Sequence, residues 1–166
     1  MFGSLDHWLH GSNYVTSILW TYLQNRMKTC IEEGTTWPHT LYLQIDNCWR
    51  ENKNTTLFGF LALLIKHGWF REIYVHSLPP GHTHEDIDRM YSSWNSHYWK
   101  RGLQSPASIP EFLEWAYPNS EFRPQWHTVH SIFDIKKMLQ EYLINMSGHS
   151  HAKAFKFCRY ESNVAM

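Results

Sequence analysis

A chain of 166 residues suits one domain with a real core, and 43% hydrophobic against 18% charged residues excludes disorder. Fifteen basic and fifteen acidic residues cancel, which excludes the overall basic excess typical of a strong nucleic-acid binder but leaves room for a local patch. Nine each of Trp, Tyr and Phe promise a core built on large aromatic side chains.

Three cysteines, Cys30, Cys48 and Cys158, form no Cys-x-x-Cys pair. A disulfide framework and a structural zinc site are therefore poorly supported, and an intracellular, reducing compartment is expected. The opening residues, Met1 to His7, lack the basic and apolar blocks of a signal peptide. The longest apolar run, 57–65, is too short to span a bilayer, so no membrane partner is expected.

In chain order, Ser12 or Asn13 can cap a helix whose apolar positions are Tyr14, Val15, Ile18, Leu19, Tyr22, Leu23, Met27 and Ile31. Gly34 stops it, and Trp37-Pro38 keeps the chain extended. Leu41, Leu43 and Ile45 alternate with Tyr42, Gln44 and Asp46, the period of a strand. The run 57–65, led by Asn52 or Asn54 as cap and closed by Gly68, predicts a buried helix. Residues 73–78 predict a second strand. Strand, helix and strand with short connections make a parallel pair, with ligands expected outside the carboxyl ends.

Thr83-x-x-Asp86 predicts a helix start, with Ile87, Met90, Tyr91, Trp94 and Tyr98 as its apolar face and Asp88 at the border. Ser108-Ile-Pro-Glu111 starts a short helix, and 117–124 reads as loop. Residues 126–133 predict a strand. Asp134 caps a helix with Ile135, Met138, Leu139, Tyr142 and Leu143 inward, and 153–160 closes the chain as a strand.

The chemistry concentrates between Gln44 and Trp94. Two-metal phosphoryl transfer needs carboxylates from separate elements, and Asp46 with Asp88 is such a pair. The plainer reading of each is a turn cap for Asp46 and a helix-dipole partner for Asp88. Asn52-Lys53-Asn54 at a helix start suits a phosphate backbone, though two caps and a solvated lysine account for it equally well. Arg89, Lys100 and Arg101 extend the basic character. His82 and His84, with Cys48 or His76 near, offer a zinc alternative that lacks the usual second pair of ligands. No glycine-rich phosphate loop and no oxyanion-hole signature is present.

Two motifs together, Gln44-Ile-Asp-Asn-Cys-Trp-Arg-Glu-Asn-Lys-Asn54 and Leu78-Pro-Pro-Gly-His-Thr-His-Glu-Asp-Ile-Asp88, resemble a family of transposon-derived integrase-like domains. The likeness runs from about Gly11 to Tyr160, and its specific part is Gln44 to Trp94. Such domains look like members of the ribonuclease-H-like, DDE-transposase superfamily. The resemblance implies an α/β fold, a parallel strand pair in a mixed sheet flanked by helices. It gives Asp46 the role of the second catalytic acid and makes Asp88, ahead of Glu85 and Asp86, the best candidate for the third, the pair holding Mg²⁺ or Mn²⁺, with Asn47 and His82 in support. Asn52, Lys53, Arg89 and Lys100 would meet DNA.

The first acid should lie on a strand before the helix near Ser12, yet the residues there hold only Asp6 and no strand pattern. The expectation is therefore an incomplete, N-terminally truncated ribonuclease-H-like domain over residues 1–166. It would be inactive as given, though derived from relatives that cut and join DNA in the nucleus. DNA binding would be weak and salt-sensitive, and an exposed sheet edge would promote self-association. The rival reading is a non-catalytic protein-interaction module on the same fold.

Overall fold

Two alternating stretches become parallel strands because the apolar helix between them covers one of their faces. In the computed structural model, which describes residues 2–3, 11–45, 52–77, 86–102, 105–118, 126–143, 146 and 151–159, the elements run in order. They are β1 (Phe2–Gly3), α1 (Ser12–Glu33), β2 (Thr40–Ile45), α2 (Thr55–Lys66), β3 (Glu72–Ser77), α3 (Asp86–Arg101), α4 (Ile109–Ala116), β4 (His127–Thr128), α5 (Ile135–Leu139) and β5 (Ala154–Cys158). They divide into two compact units, His7–Pro80 with Ser131–Met166, and Met1–Asp6 with Gly81–His130.

The larger unit is α/β, a small mixed sheet flanked by helices. Its strand order is β2-β3-β5, with β2 and β3 parallel and β5 antiparallel to β3. Register sets Leu41 beside Ile73, Leu43 beside Val75 and Ile45 beside Ser77, while Ile73 and Val75 meet Phe157 and Phe155. These positions share one face by the two-residue period, and α2 seals it with Leu57, Phe58, Leu61, Leu64 and Ile65. On the other face Tyr42 stacks on Tyr74, ring centroids 5.3 Å apart, and Lys156 lies over the Tyr74 ring. The outer edge of β2 meets no strand among the described residues.

Local chemistry explains the helix ends. The Asn54 side chain accepts a hydrogen bond from the Leu57 N–H at 3.0 Å, so Asn54 is the cap of α2. Gly34, at φ 66°, takes the left-handed conformation that closes α1. Gly59 lets Leu143 lie against the α2 backbone, where a Cβ would run into the leucine side chain.

Several sequence expectations need correcting. The buried face of α1 carries Thr16, Ser17, Leu23 and Cys30, while Tyr22 and Ile31 are exposed. Hydroxyls tip that balance: Thr16 donates to the Ser12 carbonyl, and Ser17 exchanges hydrogen bonds with the Phe133 backbone, so neither is buried unsatisfied. Trp20 then packs edge-on against Phe60 and Trp69. The expected strand over 126–133 shrinks to His127–Thr128, paired with β1. Further on, the Phe133 N–H is committed to Ser17 rather than to a strand partner. The Asp134 cap holds, its Oδ1 accepting from the Lys137 N–H, but α5 is only five residues long. Ile135 and Leu139 point inward, whereas Met138 and Tyr142 are exposed.

The smaller unit is held by aromatic packing between α3 and α4. Trp94 meets Phe112 at 5.0 Å, His97 sits edge-on to Trp115, and Arg101 lies over the Trp115 ring. Ile109, Phe112, Leu113 and Ala116 are its buried residues on α4. Tyr98, expected inward, is exposed. No helix among the described residues is long and apolar enough to cross a membrane.

Candidate functional site

A parallel strand pair opens its backbone at the carboxyl ends, where loops leave the sheet and the next helix presents its N-terminus. Here β2 ends at Ile45 and β3 at Ser77, with Asn52, Lys53 and Asn54 leading into α2. The closing residue of that edge is Ser77, whose N–H donates to the Lys153 carbonyl at 2.8 Å and ties β3 to the start of β5.

Lys53 is the unusual member. It is 1% exposed, and its ammonium lies 5.8 Å from the centre of the Phe155 ring. Burial, and then the positive charge of Lys153, hold its pKa below the ordinary lysine value. An ammonium so placed favours an anion. At 1% exposure Lys53 is not the solvated surface lysine of the plainer reading.

Asn52 is half-buried beside it, and Asn54 is occupied in capping. Lys100 is exposed in the last turn of α3, in the other unit, as is Arg101. Arg89 lies in the first turn of α3, about 16 Å along the helix from Lys100, so one phosphate cannot bridge the two. Asp46 follows Ile45 directly in the chain and lies outside the described residues, as do Asn47, Cys48, His82 and His84. Asp88 is placed by its backbone in the first turn of α3, and its side chain is outside the described set. The described residues thus gather Asn52, Lys53 and Lys153 at one edge and leave the two carboxylates to the segments that follow β2 and β3.

The fit to a divalent cation is partial. A hard cation needs several oxygens. At this edge the Asn54 Oδ1 is spent on a backbone N–H and the Ser77 Oγ lies 3.4 Å from a carbonyl. Among the described residues no group of three or more His, Cys, Asp or Glu could hold a metal ion. Cys30 and Cys158 are free thiols.

Two features had no signal in the sequence. One is the outward cluster in which Glu72 pairs with Lys156 and accepts from the Tyr74 hydroxyl. The bonds from Lys156 and Tyr74 hold the Glu72 carboxyl below its ordinary range, and the Lys156 ammonium is held well above its own. The pair is on the surface and worth little to stability. The other is an apolar cavity at the far end of α2, treated below.

No curated protein matches the chain, and no solved structure does either. Over its whole length, residues 1–166, it belongs to the family described as Domain of unknown function (DUF7869).

Proposed function

We propose that this chain is an integrase-like domain of ribonuclease-H-like type. Its working edge would lie at the carboxyl ends of β2 and β3, where it binds a nucleic-acid phosphate and, through Asp46 and Asp88, a divalent cation, without cutting DNA as given. The observation that carries this reading is the parallel β2–α2–β3 unit, which sets Asp46 directly after one strand at the end where such folds gather their ligands. Lys53 and Lys153 at the same edge add the positive charge that a phosphate needs. The cation, when bound, would polarise a phosphoryl oxygen.

The expectation of no cutting rests on the resemblance, which gives this chain a second and a third acid but no first. Two metals in such sites sit about 3.5–4 Å apart and need acidic ligands from separate elements. A site missing one acid loses both charge and positioning, and residues that act as a unit typically cost several orders of magnitude when one is lost. Purified protein with Mn²⁺ and supercoiled plasmid is expected to give no nicking, beside Asp46→Ala and Asp88→Ala controls. Nicking by the parent that both substitutions abolish would overturn the inactive reading.

A second reading, a non-catalytic interaction module, is favoured by the outer edge of β2, unpaired among the described residues, where Tyr42 is 71% exposed. Unpaired N–H and C=O groups on an edge strand recruit another strand. On this reading the chain self-associates in sedimentation, and Tyr42→Lys, a charged blocker on the edge strand, restores the monomer. A parent that is monomeric at high concentration would rule this reading out.

A further inference from the structure

The C-terminal end of α2 lies about 18 Å from its Asn54 cap and borders a cavity of about 640 Å³ within the larger unit. That volume is in the range of small-molecule sites. Four aromatic residues line it: Trp20, Phe60, Trp69 and Phe133. The Trp20 ring stands edge-on to two of the others, at 86° to Phe60 and 61° to Trp69. Leucine, isoleucine and methionine side chains complete the apolar lining.

One carboxylate interrupts this surface. Asp134 lines the cavity, and its Oδ1 accepts from the Asn13 amide at 2.8 Å and the Lys137 N–H at 3.1 Å. Those bonds, the Asn13 one first, hold its carboxyl below the usual range, so it is anionic at neutral pH. Lys136 and Lys137 follow it in the chain, yet both are exposed and neither lines the cavity. Besides Asp134, the titratable group in the lining is the His67 imidazole.

A neutral apolar occupant would strip water from the carboxylate with nothing in return. A compact, strongly hydrated ammonium would lose its own hydration against the rings. A cation with its charge spread under methyl groups avoids both costs, because aromatic faces attract it and its hydration is weak. We infer that this cavity is a binding site for a small organic cation of the alkylated ammonium class, held by the aromatic lining and balanced by Asp134. The site is separate from the carboxyl edge and does not depend on the function proposed there.

The test uses two isosteric probes, (4-hydroxyphenyl)trimethylammonium and neutral 4-tert-butylphenol, titrated into the full chain by calorimetry and saturation-transfer NMR. The cation is expected to bind saturably and roughly tenfold more tightly than the phenol. Asp134→Asn keeps the cap, since Asn serves that position as well as Asp, and is expected to remove most of the difference while leaving phenol binding unchanged. Phe133→Ala, at a half-exposed ring, is expected to weaken the cation several-fold with the fold intact. Equal or tighter binding of the phenol, no saturable binding of the cation, or a cation affinity indifferent to both substitutions would overturn the assignment.

Discussion

Phe58→Ala is expected to lower the stability of the larger unit by about 3–5 kcal/mol, enough to unfold a marginal domain. Phe58 is 2% exposed, and its ring lies 4.6 Å from that of Phe155 and 5.6 Å from that of Phe157. It is the side chain through which α2 sits on β5. Truncation removes its buried area and leaves a void that the two flanking rings can only partly fill. Its neighbours on β3, Ile73 and Val75, are fully buried and leave little freedom to collapse. Urea unfolding followed by far-UV circular dichroism measures the loss, with Ile73→Val as a calibration at about 0.5–1.5 kcal/mol. A loss below about 1 kcal/mol for Phe58→Ala would mean that α2 is not seated as described. The carboxyl edge would then lack its support, because Asn52, Lys53 and Asn54 are positioned by the start of that helix.

The central unit was legible because local signals agreed there. Alternation in 41–45, the Asn54 cap, an unbroken apolar run and Gly68 all specify strand, helix and strand, and β2, α2 and β3 follow within a residue or two. The Gly34 stop was equally plain. α1 was read only in part: Leu19 and Leu23 lie on the core side as expected, but Tyr22 and Ile31 do not, because its large apolar residues are spread around the cylinder. The choice of face was made by hydroxyl groups: Thr16 and Ser17 satisfy themselves locally or on the Phe133 backbone and can be buried without penalty. The short α5 was misjudged for a related reason. Its apolar residues keep helical spacing beyond Leu139, but the chain leaves the helix and Tyr142 turns outward.

The site was legible in its residue types more than in its arrangement. Lys53 reads in sequence as a surface lysine, since nothing near it tells that Phe155, a hundred residues on, will cover it. The cavity is less legible still. Trp20, Phe60, Trp69 and Phe133 come from four separate stretches, and only packing brings them to one wall.

The second large effect concerns the cation. Two carboxylates are few for a divalent ion, so affinity is expected at about the millimolar level, and loss of either acid should weaken it by at least about tenfold. Asp46 is the more telling substitution. It follows β2 directly in the chain, so its loss tests the strand-end ligand by itself. Asp88, early in α3, also faces the helix dipole, and its removal mixes a small stability cost with the loss of a ligand.

Paramagnetic broadening by Mn²⁺, read on the backbone amides of the whole chain, tests the proposed working edge most directly. The account predicts selective broadening of Ile45, Asn52, Lys53, Asn54 and Ser77 together with the first turn of α3, all of it abolished by Asp46→Ala. Broadening that leaves these amides untouched, or that persists in Asp46→Ala, would contradict a cation site shared by Asp46 and Asp88.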